Sequence, residues 1–284
     1  MNKQIILYNN LAGFGKITED ITDFSKRFEN PVIIDVTADN GYESFFEMLS
    51  DSDEIVVCGG DGTLYHFVNE IAEKNVTNKV FYHAMGSGND FLRDVDDTFP
   101  ELIEITKYVH NLPTVTVNGE TRHFINGVGF GVDGYCCEVG DELKTKSDKP
   151  INYAAIAIKG LLFHFKPANA TVIIDGVRRE FKRVWICPTM NGRFYGGGIM
   201  PTPDQDRVNS DVKLSVLVFH GSGKLKTLMI FPTLFKGKHL KYTKNVISFE
   251  GKSVEIIFDR PCALQIDGET VKGVTSYRAN SFEK

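Results

Sequence analysis

Three glycine-bearing loops, each directly following an apolar strand-like run, constrain this chain more than any other feature. Ile5–Tyr8 leads into Asn9-Asn10-Leu11-Ala12-Gly13-Phe14-Gly15-Lys16, Glu54–Cys58 into Gly59-Gly60-Asp61-Gly62-Thr63, and Val80–Met85 into Gly86-Ser87-Gly88-Asn89-Asp90. Between them, apolar residues recur three and four positions apart: Ile17, Ile21, Phe24 and Phe28; Tyr42, Phe45, Phe46 and Leu49; Leu64, Phe67, Val68 and Ile71. That spacing marks one face of a helix. Val32–Val36 adds a β-branched strand. Strands alternating with helices predict an open, mostly parallel sheet that gathers ligands at the carboxyl ends of its strands. The loops after the first, third and fourth strands then converge at one sheet edge.

Glycines at such turns allow positive φ and let backbone N–H groups approach a phosphate. The helix N-terminus that follows adds favourable partial charge for an anion. Asp61 is an acid in an anion site, which makes sense where a cation such as Mg²⁺ or a substrate proton is involved. Thr63 either caps its helix or bonds a phosphate. The same five residues also read as a plain glycine-rich turn with Asp61 as a turn residue. Gly86–Asp90 offers a hydroxyl and an amide to phosphate or sugar; its other reading is a loop in which Asn89 or Asp90 caps a short helix. Lys16 is either a phosphate ligand or a solvated lysine. No GxxxxGK[ST] sequence is present, which excludes an ordinary P-loop enzyme.

The pattern changes near residue 112. Thr114–Val117, Asn118-Gly119 and Thr121–Phe130 predict a hairpin with a tight turn. Further strands are expected at Thr171–Ile174 before Asp175-Gly176, Arg183–Thr189, Lys213–Phe219, Val246–Phe249, Val254–Phe258 and Ala263–Ile266. Helical stretches are expected at about Ile151–Phe165 and Leu225–Phe235. The fold class is therefore α/β plus all-β. An open parallel nucleotide-binding domain spans 1–117, and an antiparallel, sandwich-like domain spans 118–284, with the last residues returning to the first domain.

The net charge of −5 over 284 residues implies no global attraction to nucleic acid. Five cysteines, odd in number and without CxxC, read as reduced cytosolic thiols. The seven histidines form no HxxxH or HExxH pair, which argues against zinc, and the absence of GxSxG argues against an α/β-hydrolase. Met1–Tyr8 is too short an apolar segment for a signal peptide, and no run approaches a membrane span. A cytoplasmic protein is expected, one that visits a membrane surface if its substrate is a lipid. Lys224, Lys226, Lys236, Lys238, Lys241 and Lys244 surround an apolar stretch that reads as a basic amphipathic face or as a packed helix with solvated lysines.

Gly59–Thr63 resembles the GGDGT signature of the diacylglycerol-kinase catalytic family, shared with sphingosine kinases and bacterial lipid kinases and related to NAD kinases and phosphofructokinases. The resemblance runs through nearly the whole chain. Asn9–Gly13 looks like the N-x-x-[SA]-G loop and Gly86–Phe91 with Arg93 like GTGNDFAR. Phe124-Ile125-Asn126 with Gly129-Phe130, Asn191 with Gly196-Gly197-Gly198 and Pro203, and Gln265–Glu269 resemble the later F-x-N, GGG and QxDGE motifs.

The resemblance implies an ATP- and Mg²⁺-dependent lipid kinase acting on the hydroxyl of diacylglycerol or a related lipid, with ATP between the two domains. It implies that Asn9, Lys16, Gly59, Gly60, Gly62, Thr63, Gly86, Ser87, Gly88 and Asn89 hold nucleotide. Asp61 and Glu269 would be the catalytic acids, with Glu269 the base for the lipid hydroxyl, and Asp61 would also hold metal. Family habit implies a homodimer. A structural Mg²⁺ would sit near a DDGxLxV stretch, here Ser210–Val216, on Asp211 and the Leu214 carbonyl. Two departures stand there: Ser210 replaces an Asp and Val212 replaces the Gly. The carboxylates of Pro203–Arg207 are candidate substitutes, and Asp133 is a further family-matched acid with an alternative role as a cap or turn residue. Two rivals remain: a small-metabolite kinase of the NAD-kinase kind, and a lipid- or nucleotide-binding protein without catalysis. Asp61→Asn and Glu269→Gln are each expected to abolish most activity without disturbing the fold.

Overall fold

The structure, a computed structural model, describes residues 2–10, 17–74, 76–86, 88–146 and 151–282. Two compact units divide it, Met1–Asn111 and Leu112–Lys284.

In the first unit Ile5, Ile6 and Leu7 are buried in succession, as are Ile55, Val56, Val57 and Cys58. A strand tolerates such a run only when helices cover both of its faces. These residues lie in β1 (Gln4–Tyr8) and β3 (Glu54–Gly59), at the centre of a five-stranded sheet. With β2 (Pro31–Asp35), β4 (Val80–Ala84) and β5 (Ile103–Glu104), the strand order is β2-β1-β3-β4-β5. The first four are parallel and β5 is antiparallel to β4. The helices α1 (Ile17–Ser25), α2 (Gly41–Met48), α3 (Asp61–Ala72), α4 (Asp90–Val95) and α5 (Thr106–Val109) follow the strands in turn. Phe45, Leu64, Phe67, Val68 and Ile71 are buried, so the helical stripes of the sequence are the faces laid on the sheet.

The second unit is a nine-stranded antiparallel sheet domain built on β6 (Thr114–Val117), β7 (Glu120–His123), β8 (Gly127–Gly131), β9 (Ala168–Ile174), β10 (Val177–Met190), β11 (Leu214–His220), β12 (Val246–Gly251), β13 (Ser253–Ile266) and β14 (Glu269–Asn280). Its order is β12-β11-β10-β8-β13-β14-β6-β7, with β9 bridging β10 and β13. Thr114–Val117 belongs to this unit because it pairs with β7 and β14. Two-residue turns close three hairpins, with both residues at positive φ: Asn118-Gly119 (53° and 85°), Asp175-Gly176 (48° and 80°) and Asp267-Gly268 (47° and 95°). These Asn-Gly and Asp-Gly pairs suit the turn that matches strand twist. The helices are α6 (Val132–Lys144), α7 (Tyr153–Lys159), continued by a π turn over Gly160–His164, and α8 (Lys224–Ile230), continued by a 3-10 turn over Phe231–Lys236.

Three sequence expectations change here. Thr121–Phe130 is not one strand. It breaks at Phe124–Asn126 because the N–H groups of Ile125, Asn126 and Gly127 bond the Asp267 carboxylate instead of a neighbouring strand. The sequence pattern does not show the helix α6, since Gly134 and Gly140 weaken its periodicity. Both are points of close packing: an added Cβ would lie 2.1 Å from the Ala263 carbonyl oxygen and 2.7 Å from the Tyr153 ring, respectively. The strand β14 is likewise absent from the sequence pattern. Gly273 at φ 68° and register shifts around Cys262 interrupt its alternation.

Candidate functional site

The glycine loops that follow β3 and β4 meet. A Cβ added at Gly86 would fall 2.6 Å from the Gly60 Cα and 3.0 Å from Asn89 Oδ1. Only glycine permits that backbone approach. The contact is fixed by the sheet: Gly59 stands opposite Ala84 in the β3–β4 register, and the Met85 N–H donates to the Gly59 carbonyl at 2.9 Å. The Tyr82 hydroxyl, buried, donates to the same carbonyl at 3.0 Å. Gly60 is the N-cap of the twelve-residue α3 and offers no side chain there. Asn89 takes the left-handed conformation, φ 47°, as N-cap of α4. Asparagine is one of the few residues that enter it readily.

Asp61 fastens the two loops together. Its Oδ2 accepts the Asp90 N–H and its Oδ1 accepts the Phe91 N–H, both at 2.9 Å. A carboxylate across the first turn of α4 satisfies N–H groups that have no intrahelical partner and complements the helix dipole. The sequence placed Asp61 in an anion site for a metal or a proton; the structure adds this organising role. A carboxylate has about four lone-pair sites, and a Mg²⁺ carried by a nucleotide needs only one or two carboxylates, so Asp61 is of the right type for that metal.

The other nucleotide candidates fall as follows. Gly59 ends β3, and a Cβ there would lie 2.4 Å from Thr63 Oγ1, so Thr63 is packed over Gly59 and buried. Gly62 lies in the first turn of α3 with open space around it. Gly88 is half-buried between Gly86 and Asn89. Asn9 follows β1, and the neighbouring Asn10 N–H donates to Asp35 Oδ1 at 3.3 Å. Lys16 and Ser87 lie outside the described residues.

In the second unit, Glu269 opens β14 directly after the Asp267-Gly268 turn, with an exposed side chain. Its field reaches Cys137 and Lys144 of α6. Asp141, on the same helix, accepts from the Thr270 hydroxyl at 2.7 Å and pairs with Lys144 at 3.1 Å. The turn carrying Glu269 is anchored from behind. The Asp267 carboxylate accepts the N–H groups of Ile125 at 2.5 Å and of Asn126 and Gly127 at 2.8 Å. Arg207 donates to the Ile125 carbonyl and to Asn126 Oδ1, at 3.2 and 3.1 Å. The Asn191 side chain donates to the same Ile125 carbonyl at 2.9 Å. Thus four separate motifs of the sequence form one hydrogen-bonded network. The sequence left Asp267 and Arg207 without roles; only the loop that each reaches reveals them.

The stretch named for a structural metal, Ser210–Val216, runs from a turn into β11. The Asp211 side chain is 66% exposed and paired with Lys213 Nζ at 3.2 Å, and Leu214 lies in β11 opposite Gly251. Among the described residues, no three His, Cys, Asp or Glu side chains converge to hold a metal. Val212 stands at φ 54°, a conformation costly for a β-branched side chain, which is the physical reason a glycine suits that position. In Pro203–Arg207 the residues that turn inward are Gln205 and Arg207. Gln205 joins the Asn191 and Lys213 carbonyls and the Ser215 hydroxyl, whereas Asp206 closes a local turn by accepting the Val208 N–H.

Asp133 lies in the first turn of α6, buried, with its carboxylate against Gly129, where an added Cβ would sit 2.3 Å from Oδ2. Burial raises its pKa to about 6, opposed by the N–H groups of Gly134 and Asp133 and by the Tyr195 hydroxyl. A carboxyl whose folded pKa is raised contributes stability below its ordinary pKa and loses it as pH rises through the folded value. Relative to Asp133→Asn, the wild type should therefore lose up to about 3 kcal/mol between pH 4 and pH 7. Thermal melts of both proteins across that range check this, and a constant gap in Tm would refute it.

Known proteins align with the same two segments. The profile described as diacylglycerol kinase catalytic domain matches residues 3–123, and that described as YegS C-terminal NAD kinase beta sandwich-like domain matches residues 126–279. The diacylglycerol kinase of Staphylococcus aureus strain MRSA252 is 24% identical over 275 residues, 93% of this chain and 85% of the relative. The diacylglycerol kinase of Mycobacterium tuberculosis strain H37Rv is 23% identical over 219 residues, 72% of this chain and 67% of the relative. A crystal structure of a diacylglycerol kinase from Bacillus anthracis strain Sterne shares the fold, with a TM-score of 0.65 and 20% identity over 99% of this chain and 94% of the other. Two glycine loops locked by an aspartate, together with profiles that between them account for residues 3–123 and 126–279, place this chain in the diacylglycerol kinase catalytic-domain family.

Proposed function

We propose that the protein is a lipid kinase that transfers the γ-phosphate of ATP to the hydroxyl of diacylglycerol or a related lipid, in the cytoplasm and at the membrane surface. The observation that carries this reading is the Gly60–Gly86 backbone contact clamped by Asp61. It supports a phosphate cradle, since it gathers glycine N–H groups and the N-terminus of α3 at the carboxyl ends of β3 and β4. Phosphoryl transfer depends on positioning and charge neutralisation more than on covalent chemistry. Mg²⁺, when bound with ATP, would neutralise charge on the β- and γ-phosphates. Asp61 holds the cradle in shape and is the carboxylate that would take that metal. Glu269, exposed on a turn fixed by Asp267, removes the proton from the lipid hydroxyl. The names of the relatives support the lipid class of substrate over a small polar metabolite.

A radiolabelled-ATP assay with Mg²⁺ against diacylglycerol, sphingosine and NAD tests the reading. Label entering a lipid supports it, label entering NAD supports the metabolite kinase, and ATP binding without transfer to any of them supports a binding protein. Gly86→Ala tests the cradle separately. Its Cβ meets main-chain atoms that cannot rotate away, so the loops must part. ATP affinity measured by calorimetry is expected to fall at least about tenfold, the equivalent of roughly 1.4 kcal/mol. Unchanged affinity would remove these loops from the nucleotide site.

A further inference from the structure

One amide of the second unit lies between two opposite charges. Asp267 Oδ1 accepts the Asn126 N–H at 2.8 Å, and Arg207 Nη1 donates to the Ile125 carbonyl, the other end of the same amide, at 3.2 Å. The carboxylate draws on the N–H and the guanidinium on the C=O, so each bond polarises the amide in the sense that strengthens the other. The second arm of the guanidinium, Nη2, donates to Asn126 Oδ1 at 3.1 Å. Two donors in a rigid fork fix an orientation as well as a distance, which the single ammonium of a lysine does not.

The loop that carries Arg207 is stitched by side-chain amides. Gln205, buried, donates to the Asn191 and Lys213 carbonyls at 3.2 and 3.0 Å and accepts the Ser215 hydroxyl at 2.5 Å. Asn209 Nδ2 donates to the same Lys213 carbonyl at 3.2 Å, and its Oδ1 accepts the Lys213 N–H at 2.9 Å. The Asn191 and Gly192 N–H groups close on the Asn126 carbonyl at 2.9 and 3.2 Å. Residues 202–213 are thereby seated on 125–127, and these in turn on Asp267, whose turn carries Glu269.

The family resemblance puts a structural Mg²⁺ at this loop, on Asp211. The donors at that position have other partners. Lys213 Nζ stands 3.2 Å from the Asp211 carboxylate, and an ammonium there opposes a dication at the same oxygens. The Lys213 carbonyl already serves two amides, one for each of its lone pairs. The positive charge that turns inward from the loop is the Arg207 guanidinium. We infer that Arg207 is a positioning residue: it fixes the segment that anchors the Glu269 turn, and it does so with a protein cation where the resemblance puts a metal. Its effect on turnover rests on Glu269 being the base, as proposed above; its hold on the loop does not.

Tm is measured first, without nucleotide, in EDTA and in excess Mg²⁺. The wild type should melt at the same temperature in both, and Arg207→Ala about 5 °C lower in both. A rise in the wild-type Tm with Mg²⁺ that Asp211→Asn abolishes would put a metal in the loop and overturn the inference. So would Arg207→Ala with the wild-type Tm. Turnover is measured next, with ATP, Mg²⁺ and dispersed diacylglycerol. Arg207→Ala should lower kcat about tenfold at an unchanged KM for ATP, since a small displacement of a reacting group suffices for that. Arg207→Lys keeps the charge without the fork and should recover only part of the loss; it stands in if the alanine variant does not fold. In the Glu269→Gln background Arg207→Ala should cost nothing further, because the group it positions is gone. The same tenfold loss in both backgrounds would make Arg207 a structural residue only and overturn its positioning role. Wild-type turnover in Glu269→Gln would instead sink the base reading, and the melts would still decide between guanidinium and metal.

Discussion

Glu269→Gln should lower lipid-kinase turnover by about 10²- to 10⁴-fold, the contribution of a positioned general base, and leave Tm unchanged. The side chain is exposed at the first position of β14, and its backbone pairing with Ile266 does not depend on the carboxylate. Asp61→Asn should behave differently, losing turnover and stability together. An asparagine at 61 keeps one acceptor oxygen but turns an amide toward the second of the two N–H groups that Asp61 now satisfies. Hydrogen bonds to a charged acceptor contribute about 1.5–3 kcal/mol each, so a loss of about 2 kcal/mol is expected. For a unit of this size that lowers Tm by on the order of 10 °C. Steady-state kinetics and calorimetric melts of the two variants, measured in parallel, make the distinction. Near wild-type turnover in Glu269→Gln would remove Glu269 as the base. An unshifted Tm in Asp61→Asn would mean that the clamp on α4 carries no weight. The expectation from sequence that both variants leave the fold undisturbed is thus kept for Glu269 and replaced for Asp61.

The largest stability effect is expected at a residue outside the proposed chemistry. Asp267→Ala removes the acceptor for three consecutive N–H groups at Ile125, Asn126 and Gly127, which have no strand to turn to. Arg207 and Asn191 hold the carbonyl side of the same segment, so it cannot move freely to find water. Stranded buried donors cost about 1–3 kcal/mol each, and water reaches part of this half-buried site, so a net loss of about 3 kcal/mol is expected. The corresponding fall in Tm is on the order of 10 °C. Urea unfolding should show a lower midpoint with an unchanged slope, because the surface buried by the native state is the same. Turnover at the permissive temperature should fall as well, since the turn that presents Glu269 loses its anchor. A variant with wild-type Tm would show that the N–H groups find other partners at little cost.

The legible part of this protein was local. The apolar runs of β1 and β3, the stripes of α2 and α3 and the Asn-Gly and Asp-Gly turns follow from periodicity and backbone sterics. Each could be read within a window of a dozen residues. The illegible parts have one cause in common. The helix α6 was hidden by Gly134 and Gly140, whose presence answers to Ala263 and Tyr153 and not to their own helix. The break at Phe124–Asn126 was hidden because its reason, Asp267, lies about 140 residues away. The Asp211–Lys213 ion pair is likewise not readable from the resemblance that names Asp211.

The sequence by itself determined that glycines occupy the ends of strands three and four and that an acid follows the first pair. The tertiary structure alone decided what that acid does. Sheet register brings Gly86 against Gly60, and only then does the Asp61 carboxylate reach the N–H groups that open α4. The physical reason is the range of the forces: torsional preferences and turn chemistry act between neighbours in the chain, whereas a hydrogen bond is made only where folding has brought donor and acceptor within about 3 Å.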